Sequence, residues 1–350
     1  MNGAERVLAM ARFQLGYMEK QTNHQLDDPK ANAGSGNFTK YARDLYEAGF
    51  FNGNKNGYEW CAVFVTSMVY AVTRDRALTE RVLCQTGPLG AGCVWAAKYY
   101  RECGRLYHKY PMPGDQIFFR GYAHTGLVEK VEGGRIHTIE GNSSNRVERR
   151  QYRTDDGQID GFGRPFYEWI PDSPFADVSP TDYFFSAAQW AEKTQLISGV
   201  APGIFAPEEG CTRAQAVTML WRRAGRPEPD SYLPFEDVSP ADYYAKAVQW
   251  AVGREITLGT SATTFSPDRI CTRAEFVTFL WRDAGQPETA NESPFVDVAP
   301  GDYFAQAVRW AVEKGITSGT DADYFSPVQP CDRAMAVTML WRSSEQCIYG

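Results

Sequence analysis

Cys61 stands at the head of the apolar run Trp60 to Val72, inside "NGYEWCAVFVTSM". A thiol in that place is either a small buried hydrophobe, as free cysteine most often is, or a nucleophile. At a helix N-terminus the unpaired backbone N–H groups and the helix dipole favour thiolate over thiol. A nucleophilic thiol needs a base, and the chain has four histidines. His24 lies in the polar stretch "TNHQLDDPK" and His108 in a connection ahead of "PMPGD", whereas His124 and His137 border β-patterned segments. His124 follows the loop "RGYA" at the start of a strand, a position from which a side chain can reach a neighbouring helix. In "RIHTIEG", strand alternation sets Ile136, Thr138 and Glu140 on one face and His137 and Ile139 on the other. A Glu140 that faces His124 therefore leaves His137 turned away. A carboxylate behind an imidazole orients it and stabilises its charged form, the third role in Cys and Ser hydrolases. Asn142, two residues further on, is placed to assist either the imidazole or a developing oxyanion.

These side chains need a helix to carry the thiol and a sheet to carry the base. The run from Trp60 to Val72 predicts a buried helix that starts at or just after Asn56-Gly57. "PGDQIFF" predicts a turn feeding a strand, "HTGLVEKV" the next strand, and "GGRIHTIEGN" a third after a Gly-Gly hairpin turn. At the N-terminus, Val7, Leu8, Ala11 and Leu15 predict a short amphipathic helix.

The second half repeats itself. "PFADVSPTDYFFSAAQWA", "PFEDVSPADYYAKAVQWA" and "PFVDVAPGDYFAQAVRWA" share one spacing, which places Asp177, Asp237 and Asp297 in register. Trp190, Trp250 and Trp310 share that register, as do Arg213, Arg273 and Arg333. Each unit predicts two helices around a loop, the first supported by a stripe of Tyr243, Ala247, Trp250 and Ala251. Thr212, Thr272 and Asp332 are N-caps of the second helix, Glu275 completes a capping box, and Gly225 and Gly285 are C-terminal stops. A two-helix unit cannot bury its stripe alone, so the three must pack together. A structural ion pair and a cap remain the plain alternative for the repeated Asp and Arg. Cys211, Cys271 and Cys331 each precede a cap, where an apolar staple is normal.

The "FxDV", "WA…GI..G" and "TRAE" blocks resemble S-layer homology modules over residues 174 to about 343. The resemblance implies three helical repeats in a pseudo-threefold arrangement, gripping secondary cell-wall polysaccharide, with pyruvylated sugars as a common form. It assigns polysaccharide binding to Asp177, Trp190, Arg213, Asp237, Trp250, Arg273, Asp297, Trp310 and Arg333. The third unit departs with "DRAM" and the first with Gln215 in the Glu position, so the central unit keeps the pattern most fully. The first half, through "NGYEWCAVFVTSMVYAV", "PGDQIFF", "HTGLVEKV" and "TIEGN", with "GFGRPFY" as a closing strand, resembles a CHAP domain, a cysteine- and histidine-dependent amidohydrolase or peptidase. That resemblance implies an α+β papain-like fold and catalysis by Cys61, His124, Glu140 and Asn142 on a peptidoglycan amide. Some members of the family hold calcium in an Asp-rich loop before the Cys; here Asp27 and Asp28 are too few and too far upstream, so no metal or cofactor is expected.

The expected layout is a catalytic domain over 1–170, a linker at 171–173, and repeats at 174–233, 234–293 and 294–350, the last with a C-terminal tail. The first half is weakly basic and the second strongly acidic, within a net charge of −7, which argues against nucleic acid as a partner. No run reaches the ~18 to 20 apolar residues of a membrane helix, and the N-terminus, with Glu5, Arg6 and Arg12, does not read as a signal peptide. The expected role is a wall-lytic enzyme of the endolysin kind, released through a pore. A wall-anchored protein that has lost activity and a related class of cysteine peptidase are the alternatives. The eight cysteines read mostly as reduced thiols, with any pairing of Cys84, Cys93 and Cys103 left open.

Overall fold

The apolar run that Cys61 heads folds as α3, Cys61–Thr73, in a computed structural model that describes residues 1–289 and 292–345. The expected C-terminal tail lies largely outside the described residues. Cys61 is the first helical residue. Trp60 precedes it without a side-chain cap, and Arg74 ends the helix in the left-handed region at φ 50°. Eleven of the thirteen side chains are buried, which an all-round apolar helix requires. No helix among the described residues is long and apolar enough to cross a membrane.

The chain divides into two compact units, Met1–Pro180 with Gly199–Phe205, and Thr181–Ser198 with the residues from Ala206 onward. In the first unit α3 is packed among α1 (Gly3–Phe13), α2 (Lys40–Glu47), α4 (Arg76–Val82) and α5 (Cys93–Glu102). It also lies against a six-stranded sheet of β1 (Leu106–Tyr107), β2 (Gln116–Phe119), β3 (His124–Glu132), β4 (Arg135–Ser143), β5 (Arg146–Arg153) and β6 (Ile159–Gly163). The strand order is β1-β6-β2-β3-β4-β5, with every neighbour antiparallel. The expected closing strand therefore stops at Gly163, where Arg164-Pro165 begins a coil, because proline cannot donate to the ladder. The sequence pattern named neither β1, which is two residues long, nor the charged edge strand β5.

Alternation divides the sheet's side chains as predicted. Phe118, Leu127, Ile139 and Val147 join the core built on Trp60, Phe64 and Val69. Ile117, Phe119, Val128, Ile136 and Phe162 form a second cluster. Close contact between α3 and β4 depends on Gly141, where an added Cβ would sit 2.5 Å from the Phe64 Cβ. On α1, Asn2 and Glu5 form a capping box and Val7, Leu8 and Ala11 are buried, while Leu15 falls just beyond the helix. Arg6 on the same helix is buried and donates to the carbonyls of Val72, Pro171, Ala176 and Val178. Such a charge is tolerable inside only because carbonyl oxygens replace its water. Cys84 and Cys103 form a disulfide, which resolves the pairing that spacing left open; Cys61, Cys93, Cys211, Cys271 and Cys331 are free and buried.

Each repeat is a helix pair: α6 (Phe185–Lys193) with α7 (Arg213–Arg223), α8 (Ala245–Gly253) with α9 (Arg273–Asp283), and α10 (Ala305–Glu313) with α11 (Arg333–Glu345). Thr212 and Thr272 both form complete capping boxes, the first with Gln215 and the second with Glu275, and Asp332 accepts from Met335 N–H. Tyr243 is a correction to the expected stripe. It precedes α8 and is 64% exposed, because the turn at Asp242 delays the helix to Ala245. The three buried cysteines meet through their backbones: Cys211 N–H donates to Cys331, Cys271 to Cys211, and Cys331 to Cys271, each at 2.8 Å.

Candidate active site

β3 begins at His124 because the loop before it closes tightly. Arg120, Gly121 and Tyr122 all take positive φ, Phe119 pairs across the turn with His124, and Tyr122 N–H is pinned by the Asp160 carboxylate. The imidazole stacks on Phe119 with ring centroids 6.1 Å apart. Its Nε2 lies 2.9 Å from Oε2 of Glu140, which is 1% exposed, and Oε1 of the same carboxylate accepts from the Thr138 hydroxyl at 2.5 Å. Room for the carboxylate comes from Gly126 on β3, where a Cβ would stand 2.5 Å from the Glu140 Cγ. With Nε2 committed to Glu140, Nδ1 is the nitrogen left for Cys61.

Cys61, His124, Glu140 and Asn142 line one cavity of about 550 Å³, bordered also by Glu59 and Arg150. Asn142 is half-buried with φ 57° at the bulge that ends β4, and it borders the cavity while Glu140 holds the imidazole. His108 is bonded to the Asp160 carbonyl, His24 is exposed, and His137 lies on the alternate register of β4, so among the histidines His124 alone lines the cavity.

The electrostatics favour an ion pair. A hydrogen bond from Cys93 outweighs burial and, with the His124 contacts, lowers the Cys61 thiol to about 5. Burial opposes charge on His124, but hydrogen bonds to Cys61 and Glu140 overcome it and raise the imidazole to about 9. Between those values the stable form is thiolate beside imidazolium, a nucleophile with its proton already on the base. Cys93, whose Sγ lies 3.4 Å from the Cys61 Sγ, was not flagged by the sequence pattern: it is more than thirty positions away and has no motif around it. Gly126 had a signal, an isolated glycine inside a strand pattern, which marks close approach of another group.

The repeated residues fall into distinct environments. The carboxylates of Asp237 and Asp297 each accept from two backbone N–H groups, Phe265 and Ser266 in one case and Phe325 and Ser326 in the other. Asp177 accepts from Phe205 N–H. Trp250 and Trp310 are 8% and 7% exposed and pack in the helix pairs, with Trp190 half-buried. Arg213, Arg273 and Arg333 are all buried. Arg213 borders a cavity of about 690 Å³ with Thr257, Thr260, Glu275 and Tyr303. Arg273 borders one of about 450 Å³ with Tyr183, Thr317, Thr320 and Arg342. The exposed aromatics at these cavities are thus Tyr183 and Tyr303, from the repeated Asp-Tyr pair, where the sequence reading had named the tryptophans. Arg213 is fully engaged, donating to the Phe265 carbonyl, to Glu275 at 3.0 Å and to Thr257. Arg273 meets the Met335 sulfur where Arg213 meets Glu275, and its Nη2 has no hydrogen-bond partner among the described residues. No cluster of three or more His, Cys, Asp or Glu with metal-binding geometry occurs among the described residues.

Comparison with known families matches residues 53–142 to the CHAP domain, and 174–217, 234–277 and 294–336 to the S-layer homology domain. Similar curated proteins include a cellulosome-anchoring protein of Acetivibrio thermocellus, 27% identical over 164 residues, or 44% of this chain and 36% of that protein. A surface-layer 125 kDa protein of Lysinibacillus sphaericus is 30% identical over 150 residues, 42% of this chain and 13% of that protein. An endoglucanase of a Bacillus species is 32% identical over 113 residues, 32% of this chain and 12% of that protein. The chain thus spans about a third or less of these relatives' lengths.

Proposed function

We propose that this chain, which carries a CHAP domain followed by three S-layer homology repeats, hydrolyses an amide bond of bacterial peptidoglycan while its repeats hold it to wall polysaccharide. The observation that carries this reading is the His124–Glu140 pair at 2.9 Å in the same cavity as a helix-terminal Cys61. In the proposed mechanism the Cys61 thiolate adds to the amide carbonyl carbon. Backbone N–H groups in the first turn of α3 receive the oxyanion, and Asn142 is placed to help. The His124 imidazolium gives its proton to the leaving amine as the C–N bond breaks. The neutral imidazole then draws a proton from water, which attacks the thioester and releases the acid and the thiolate. Glu140 keeps the ring oriented and its charged form stable through both steps.

A papain-like arrangement fits this, with the nucleophile at the start of a central helix and the base on an antiparallel sheet. The closed ring of backbone bonds through Cys211, Cys271 and Cys331 supports a pseudo-threefold arrangement of the repeats. An acidic sugar substituent, such as a pyruvyl ketal, matches the Arg273 cavity, where the guanidinium faces Met335 instead of a carboxylate, and Tyr183 offers a ring face. Tethering raises the local concentration of the catalytic unit on its substrate without any contact at the cleft. Within this class we read the chain as an endolysin; wall lysis by protein supplied from the cytoplasmic side of a permeabilised cell is the corresponding test. The core reading is tested on purified walls: the intact protein clears them, while Cys61→Ala binds them and leaves them turbid. Clearing by Cys61→Ala would overturn it.

A further inference from the structure

The mechanism uses Cys61, His124, Glu140 and Asn142 and gives Cys93 no part. Yet Cys93 is the first residue of α5, as Cys61 is of α3, and the two sulfurs are 3.4 Å apart with 4% and 8% of the residues exposed. Two buried thiols in contact cannot both ionise, because like charges at that distance repel strongly in a poorly solvated site. The surroundings decide which sulfur keeps its proton. Cys61 has the His124 imidazole and the Ala62 N–H beside it, which favour charge. The hydrogen bond to Cys61 and burial hold the Cys93 thiol up, with the charges of Cys61 and Glu59 adding to them against a smaller opposing contribution from its own backbone N–H. The proton therefore stays on Cys93, which leaves it an S–H donor pointed at an anionic sulfur. The Cys84–Cys103 bridge ties down the opposite end of α5, the helix that carries this donor.

We propose that Cys93 is a positioning residue of the hydrolytic site: its thiol donates a hydrogen bond to the Cys61 thiolate, keeping that sulfur charged and fixed at the cavity wall. This rests on the reading of Cys61 as the nucleophile. A buried thiolate has lost its water, and each remaining donor replaces part of that solvation. The donor acts twice in a cycle. It supports the thiolate before attack, and it supports the same thiolate when it leaves in deacylation, where a stabilised leaving group departs faster. The charged or titratable neighbours of the pair are Glu59 ahead of α3, His124 on β3, Glu140 behind it, and Arg120, Arg150 and Tyr152 around the cavity.

The test is the pH dependence of Cys61 alkylation by iodoacetamide, read by peptide mass spectrometry on the intact chain. Degassed buffer without reductant keeps the Cys84–Cys103 bridge closed. For the wild-type chain the midpoint of reactivity is expected near pH 5. Cys93→Ala is expected to raise it by about one to two pH units, the worth of one hydrogen bond to a charged group. Cys93→Ser, which restores a donor of similar size, is expected to recover part of that shift. A midpoint that stays in place in both variants, with an unchanged circular dichroism spectrum, overturns the proposal. An ordinary thiol midpoint of about 8.5 in the wild-type chain overturns the nucleophile reading as well. The two failures are therefore distinguishable.

Discussion

Glu140→Gln removes one charge from the candidate site while keeping its shape. Glu140 is 1% exposed, lies 2.9 Å from His124 Nε2 through one carboxylate oxygen and holds the Thr138 hydroxyl through the other; glutamine can keep both contacts, its amide oxygen accepting from His124 and its NH2 donating to the Thr138 hydroxyl. What is lost is the charge. Unit charges about 4 Å apart attract by about 4 kcal/mol at an effective dielectric of about 20, which is an upper bound for a pair whose histidine retains some solvent contact. A hydrogen bond to a charged group nets about 1.5–3 kcal/mol against about 1 for a neutral one, so the swap costs the imidazolium about 1–2 kcal/mol, or roughly one pH unit. The sign follows from the charge. Glu140 favours protonated His124, so without it the imidazole loses its proton at lower pH. The measurement is kcat/KM for release of new amines from purified peptidoglycan across pH 4 to 10. In the wild type the rate is expected to rise as Cys61 ionises near pH 5 and to fall as His124 loses its proton near pH 9. Glu140→Gln is expected to move the alkaline limb down by about one unit and the acid limb much less. An alkaline limb that does not move, in a variant with native melting behaviour, would refute the ion-pair reasoning.

Gly126→Ala is expected to push the Glu140 side chain off the imidazole, because the new Cβ lies 2.5 Å from its Cγ; the check is a rate loss larger than that of Glu140→Gln with the fold retained. Gly141→Ala is expected to destabilise the first unit by about 1–3 kcal/mol through overpacking against Phe64 and Trp60, read as a lower midpoint in urea. Asp237→Ala removes the acceptor for Phe265 and Ser266 N–H and is expected to lower the Tm of the repeats, whereas Tyr183→Ala, at an exposed site, is expected to leave Tm unchanged and weaken wall binding in a sedimentation assay. Arg273→Gln is expected to weaken wall binding more than Arg213→Gln, because Glu275 already neutralises Arg213.

Much of this fold was legible because the relevant signals are local. The apolar run after Trp60, the Gly133-Gly134 turn and the alternation in "RIHTIEG" each act within a few residues, and they place Cys61 at a helix start and Glu140 on the face opposite Ile139. The period of the second half is legible because each unit places a capping side chain, Thr212, Thr272 or Asp332, directly after a buried cysteine at one spacing. What was not legible depends on contacts between distant segments. Cys93 reaches Cys61 only through the packing of α5 beside α3, and Gly126 matters only once β3 and β4 are paired in register. The aspartates and tryptophans show the converse limit. A repeated polar or aromatic residue reads as a binding group, yet here the carboxylates hold backbone N–H groups and Trp250 and Trp310 fill the repeat cores. Tyr243 was misplaced because its spacing suits a helix that the preceding turn does not yet allow.

The most direct test of the central claim is to digest purified peptidoglycan with the intact chain and with Cys61→Ala and to identify every newly exposed amino terminus. New termini of one kind, L-alanine for an amidase or another residue for an endopeptidase, are expected with the intact chain and absent with Cys61→Ala. No new termini from walls that the intact chain visibly binds would contradict the claim and leave a wall-bound protein without hydrolytic chemistry.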